Sequence, residues 1–317
     1  MNQRIVLVGG GTGVYQVVLH LKHICRNIAT IQTMFDGGGY SGKLRDEIGI
    51  LPPGDIVRAI LAGADDSLSW SMRQLFSYRF NAPGTSLERA TWSGFTFAAL
   101  CKIHHGNVIN AIQEMCQIAH CKIKVLPVTV DNAHLCARLD DSSIISGEGF
   151  IDCRPRDDHR RIESVYLDPG AQLFPGAGAA IVRADKVVFC PGSLFTSVIP
   201  NALVSGFSES LEKSRARKIM VINTMTNKSE TDGFKASDFA RELLKRLGIE
   251  KFDAVICNRA KIRPDLLEKY AQEQSYPVKV DRAALERCAH QVIVRNVVEQ
   301  GEVVRHGSKL ASIISEL

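Results

Sequence analysis

The chain reads as an α/β protein: a Rossmann-like, doubly wound, mainly parallel sheet with one helical and one small antiparallel excursion. Three observations lead there. The apolar run Arg4–Val8 passes directly into Gly9-Gly-Gly-Thr-Gly13, and then into Val14–Lys22, where apolar residues recur at helical spacing; that is strand, glycine turn, helix. Further short apolar runs recur as far as residue 280. Several of them end on Gly, Ser, Thr, Asn or Asp. In an open parallel sheet such ends share one edge, where amides, hydroxyls and helix N-termini converge on a ligand.

The elements follow in order. A second strand, roughly Ile28–Phe35, ends on Asp36-Gly-Gly-Gly-Tyr-Ser-Gly42. The stretch from about Asp55 to His120 reads as mainly helical and is too long for a crossover helix, so a helical insertion is expected at about 60–120. Lys122–Val130 reads as a strand. Ala133, Leu135, Ala137 and Leu139 alternate with polar residues and, with Glu163–Leu167, predict a β excursion at about 131–170. Parallel-type strands then return: Lys186–Cys190 runs into Pro191–Ser197, Lys218–Ile222 into Asn223–Thr231, Phe252–Ile256 into Cys257-Asn258, and Tyr276–Val280 into Asp281. There is no repeat, low-complexity tract or linker, so a single domain over 1–317 is expected.

Composition narrows the class. With 317 residues, 45% of them hydrophobic, the chain can bury a core without staples. A net charge of +5, from 39 basic and 34 acidic residues, is too mild and too scattered for nucleic acid, though it suits a phosphate-bearing small ligand. Nine cysteines, odd in number and without a CxxC pair, point to reduced thiols and a cytoplasmic setting. Cys116, His120 and Cys121 are too few for a metal site and read as thiols beside a polar His. The first apolar run stops at Gly9, so neither a signal peptide nor a membrane span is expected.

Gly9-Gly-Gly-Thr-Gly13 is a phosphate-type turn, because glycines let backbone N–H groups approach a ligand. It departs from the dinucleotide fingerprint, since Val14 takes the place of the third glycine. Asp36 could accept ribose hydroxyls, hold a metal, or simply make a turn. Gly37–Leu44 mimics a P-loop but has Leu44 where a magnesium-binding hydroxyl belongs. Pro52-Pro-Gly-Asp55 reads as a turn opening a helix with Asp55 as its cap. Pro191–Ser197 resembles another anion turn, and Asn223–Thr231 is rich in hydroxyls and amides. No G-x-S-x-G nucleophile elbow occurs, and His104-His105 receive no role.

Taken together, Gly9–Gly13, Asp36–Glu47, Ile50–Ile56, Leu126–Thr129, Gly147-Glu148, Pro191–Asn201, Asn223–Thr226, Glu230–Gly233 and Val304–His306 resemble the gluconeogenesis factor (YvcK) family of the CofD-like superfamily. The other branch of that superfamily contains the 2-phospho-L-lactate transferases of deazaflavin coenzyme synthesis. The resemblance implies a Rossmann-like core, a homodimer, and a nucleotide or nucleotide-sugar ligand such as a UDP-sugar. The role it implies is regulation of carbon metabolism, cell-wall precursor supply and cell shape, with a protein partner in that regulation. Carried over, Gly9, Gly10, Gly11, Thr12 and Gly13 become diphosphate contacts, and Asp36, Gly38, Gly39, Ser41 and Gly42 line the cleft with Gly54 and Asp55 beside it. Gly192, Ser193, Thr196 and Ser197 form a second anion loop, Asn223, Met225 and Thr226 close the far side, and Tyr270 and Arg305 correspond to nucleotide-sugar contacts.

Two other functions stay open. One is a magnesium-dependent transferase of the phospholactate type, with Asp36 and Asp55 as catalytic and metal-binding carboxylates. The other is a nicotinamide dinucleotide-binding protein, which the missing third glycine disfavours. A regulator without turnover is the leading expectation, because no nucleophile or general-base constellation stands out. The sequence also departs from the family pattern. Gly37 and Tyr40 stand where a second acid and serines are usual, Val57 replaces an Arg, and Arg89–Gly94 lacks a usual His and Asn.

Overall fold

The structure, a computed structural model, describes residues 3–85, 87–155 and 157–317. Its centre is a seven-stranded sheet. The first strands are β1 (Arg4–Gly9), β2 (Asn27–Gln32), β3 (Lys124–Pro127) and, in the antiparallel excursion, β4 (His134–Leu139). They are followed by β5 (Ile144–Ser146), β6 (Ile162–Asp168), β7 (Lys186–Phe189), β8 (Arg217–Val221), β9 (Phe252–Asn258) and β10 (Ala289–Arg295). The main sheet runs β10-β9-β8-β7-β1-β2-β3, and every neighbouring pair is parallel. The chain winds outward from β1 to β3, returns to β7 on the other side of β1, and winds outward again. The reversal leaves a topological switch point between β1 and β7, where adjacent strands leave their connections in opposite directions. The expected α/β class and parallel core are therefore present.

The central strands are apolar because both faces are covered. Ile5, Val6, Leu7 and Val8 of β1, and Val187, Val188 and Phe189 of β7, are fully buried. Lys186 is buried among them, and its Nζ donates to the carbonyls of Ile314 and Ser315 at 2.8 and 2.9 Å. This fastens the helix Ser308–Glu316 beside the central strands.

The helical excursion comprises α3 (Gly54–Gly63), α4 (Trp70–Ser77), α5 (Trp92–Ile103) and α6 (Val108–Ile118), after α1 (Gly11–Leu21) and α2 (Gly39–Ile48). Between α4 and α5 the chain folds back on itself: the Phe80 N–H donates to the Ala90 carbonyl at 2.8 Å, and the Arg89 N–H to the Phe80 carbonyl at 3.1 Å. The β excursion is the antiparallel sheet β5-β4-β6, with the short helix α7 (Glu148–Asp152) returning from it.

One expected strand is absent. Tyr276–Val280 makes only isolated bridges, Met225 with Pro277 and Lys235 with Lys279. Pro277 has no N–H for a ladder. The seventh strand is β10, whose Val292, Ile293 and Val294 pair with β9. A small hairpin, β11 (Val298–Gln300) with β12 (Val304–His306), follows it. Among the described residues no helix is long and apolar enough to cross a membrane.

Candidate functional site

A cavity of about 760 Å³ opens at the C-terminal ends of β1 and β7. Its floor is backbone. Gly10–Gly13 lead from β1 into α1, and Gly192–Ser197 lead from β7 into a π-helical turn, Leu194–Val198. The first-turn N–H groups of α1 have no intrahelical partner, so this end presents donors and the positive end of the helix dipole. The two loops touch: a Cβ on Gly13 would lie 1.5 Å from the Pro191 carbonyl oxygen, so only glycine permits the approach. Gly11 differs, with φ +58° and no atom within 3.8 Å of its Cβ position. Asn223, beyond β8, clasps the second loop; it accepts from the Gly192 N–H at 3.1 Å and donates to the Gly192 carbonyl at 2.6 Å.

One wall is acidic, formed by Asp36 after β2, Asp55 on α3, and Glu148 and Asp152 on α7. The Gly38 N–H holds Asp36 Oδ1 at 2.9 Å and the Gly37 N–H holds Glu148 Oε2 at 3.3 Å. A Cβ on Gly38 would lie 3.4 Å from both of those oxygens, so both carboxylates border this glycine. Burial, and then the charge of Asp36, push the Asp55 pKa up to about 7, against the nearby Arg58 and the Gly11 N–H. Burial followed by Asp36, Asp152 and Asp55 pushes Glu148 up to about 8. This is the expected result of crowding carboxylates away from water.

The lining from the helical excursion carries Arg58, Arg79 and Arg89, with Arg58 one turn along α3 from Asp55. Aromatic edge-to-face contacts brace it: Tyr40 on Phe95 at 5.4 Å and Phe76 on Trp92 at 5.2 Å.

Most of the residues singled out from the sequence meet here. Gly10, Gly11, Thr12, Gly13, Asp36, Gly38, Gly39, Ser41, Gly54 and Asp55 line the cavity, as do Gly192, Ser193, Thr196, Ser197 and Asn223. Asp55 is not a helix cap. Pro53 occupies that position without a side-chain bond, and Asp55 turns into the cavity. Gly9 lies within β1 against Val14 and Cys190, and Gly42 packs on the Gly37 carbonyl. Thr226 is buried, and its Oγ1 accepts from the Tyr276 N–H at 3.0 Å; Met225 bridges to Pro277. Neither lines the cavity. Tyr270 and Arg305 also stand outside it: the Tyr270 hydroxyl accepts from the Val304 N–H at 3.1 Å, and Arg305 is exposed on β12.

Arg58, Arg79, Arg89, Glu148, Asp152 and Glu230 were not singled out as site residues from the sequence. Glu148 and Glu230 stood within noted motifs, but nothing in the spacing of Arg79 and Arg89 shows that a folded-back segment brings them together. Of the residues left without a role, His104 pairs with Glu114 at 2.5 Å. The Cys116 thiol lies against Cys121, which with burial raises its pKa.

The fold and cavity define an open, doubly wound α/β protein with a glycine-floored cavity at its switch point. The chain belongs to the CofD family: the family model described as 2-phospho-L-lactate transferase CofD matches residues 5–298. It is 34% identical to the gluconeogenesis factor of Bacillus subtilis, covering 99% of this chain and 98% of that one. It is also 34% identical to the gluconeogenesis factor of Halalkalibacterium halodurans, over 99% of this chain and 96% of the other. A crystal structure of a Bacillus halodurans protein superposes with a TM-score of 0.93 at 33% identity, covering 99% of this chain and all of the other.

Proposed function

We propose that the chain is a regulatory protein of carbon metabolism that binds a nucleotide sugar of the UDP-sugar kind without turning it over. The observation that carries this reading is the meeting of Gly10–Gly13 with Gly192–Ser197 across the switch point. Two backbone loops and one helix N-terminus converge on a single spot, which suits a diphosphate. An adjoining cavity of about 330 Å³ shares Asn223 and is lined by Ile262, Leu267, Val278 and Val280, so a base has an apolar slot next to the diphosphate floor. The relatives carry the name gluconeogenesis factor, which supports the carbon-metabolism part of the reading. Control of cell-wall precursor supply and cell shape, by a homodimer in the cytoplasm acting on a protein partner, completes the reading.

Calorimetric titration with UDP-glucose and UDP-N-acetylglucosamine tests it. Saturable binding without product is expected; no heat at millimolar ligand with a folded protein overturns it.

A transferase is the second reading, favoured by two carboxylates in one cavity, where the charge of Asp36 acts on Asp55. A Cβ on Gly54 would lie 2.7 Å from Asp36 Oδ2, and one on Gly10 would lie 2.3 Å from Asp55 Oδ2. Both carboxylates thus border glycines of the cavity lining, and their oxygens suit Mg²⁺, which is commonly held by one or two carboxylates plus substrate phosphates. Bound there, the ion would neutralise charge on a leaving diphosphate. The chain's own residues would orient the phosphates through the Gly11 and Thr12 amides. Product formed from a nucleotide-linked lactyl phosphate and a deazaflavin, and lost in Asp36→Asn, would establish this reading over the first.

A further inference from the structure

Three guanidinium groups line the cavity; Arg58 lies near Asp55, while Arg79 and Arg89 make no ion pair among the described residues. Arg58 borders the glycine turn, its Nη1 lying 3.8 Å from the Cβ position of Gly11. Arg79 and Arg89 come from the folded-back segment between α4 and α5, where Arg79 Nη1 donates to the Arg89 carbonyl at 2.7 Å. Among the described residues none of the three makes an ion pair. Burial, and then the charges of Arg58 and Arg89, lower the Arg79 pKa, so the three are close enough to repel. Arg89 also holds a left-handed φ of +62°, a conformation that costs a side-chain-bearing residue free energy. Like charges gathered on a strained turn are relieved by an anion between them.

The diphosphate does not use all of this charge. In the reading above it sits on the amide floor, where Arg58 adjoins it. Arg79 and Arg89 stand on the excursion wall, with Thr91 and Phe76. A neutral sugar would leave both without an ion pair among the described residues. Planar guanidinium forks match a carboxylate through paired N–H bonds.

We propose that Arg79 and Arg89 form a second anion subsite that selects a nucleotide sugar bearing a carboxylate on its sugar ring. The inference rests on the diphosphate reading and adds the class of sugar.

The test compares UDP-glucuronate with UDP-glucose by titration calorimetry on the intact chain. One ligand carries the carboxylate and the other lacks it. The expected result is at least about tenfold tighter binding of the uronate, the scale of one charge-assisted hydrogen bond. Arg79→Gln and Arg89→Gln should each bring that ratio toward one. Arg89→Gln keeps the backbone carbonyl that Arg79 uses, so it preserves the pairing of the segment if Arg79→Gln does not fold. Equal affinity for the two ligands, or a ratio unmoved by both substitutions, overturns the subsite while leaving the diphosphate reading standing. Binding of neither ligand overturns both.

Discussion

Glu230 grips Thr196: its Oε1 accepts from the Thr196 hydroxyl at 2.6 Å, while its Oε2 accepts from the neighbouring Phe195 N–H at 2.8 Å. One buried carboxyl group thereby shapes the π-helical turn that carries the second anion loop. Burial and then Asp152 push its pKa up to about 8, although both hydrogen bonds favour the ionised form.

That shift has a sign. A carboxyl whose folded pKa lies above its unfolded value stabilises the protein fully below the unfolded pKa, near 4.5, and loses that contribution as pH rises through about 8. Glu230→Gln keeps the shape and stays neutral. Its melting temperature should therefore exceed that of the natural protein at pH 9 by roughly 2–4 °C for each ~1 kcal/mol relieved. Thermal melts from pH 5 to 9 check this; parallel curves for the two proteins would contradict it.

Gly11 and Gly13 should fail in different ways. Gly13→Ala drives a Cβ into the Pro191 carbonyl, 1.5 Å away, and should yield little folded protein. Gly11→Val meets no close atom but strains a φ of +58° and points into the cavity. It should melt within a few degrees of the natural chain yet bind UDP-sugars roughly two to four decades more weakly, the loss of two charge-assisted hydrogen bonds. Melts and titrations side by side separate the two effects.

Asp55 supplies a further test. Its pKa is raised from 3.8 to about 7, so the stability associated with its proton is lost as pH rises through 7. Asp55→Asn should melt higher than the natural protein at pH 8. If Mg²⁺ sits between Asp36 and Asp55, millimolar Mg²⁺ at pH 8 should raise the melting temperature of the natural chain and not that of Asp55→Asn. An unchanged natural chain would remove magnesium from this place.

Lys186→Met keeps the apolar stem and removes the donor to the Ile314 and Ser315 carbonyls. Leaving buried acceptors unpaired costs about 1–3 kcal/mol. Amide hydrogen exchange should rise selectively across Ser308–Glu316. Uniform protection with an unchanged melt would show that water replaces the ammonium group there.

The parallel core was legible because its strands are apolar on both faces, so Arg4–Val8 and Lys186–Cys190 read as short unbroken runs. Glycine and hydroxyl residues at their ends marked the cavity floor for the same reason. The seventh strand was misplaced: Tyr276–Val280 has strand-like composition, and only the absent N–H of Pro277 argues against it, while β10 opens on Ala-His-Gln. The walls were harder still. Asp55 reads locally as a cap, and its burial against Asp36 exists only once α3 is packed on the loop after β2. Glu148 arrives from an excursion over a hundred residues beyond Asp36, a distance at which no local spacing carries information.

The contact between Gly13 and Pro191 shapes the floor of the cavity. It brings the two innermost loops into direct contact, so the floor of the cavity is one continuous backbone surface across the seam between the halves of the sheet. The segment bearing Arg79 and Arg89 is instead joined by a few backbone bonds and a cluster of rings.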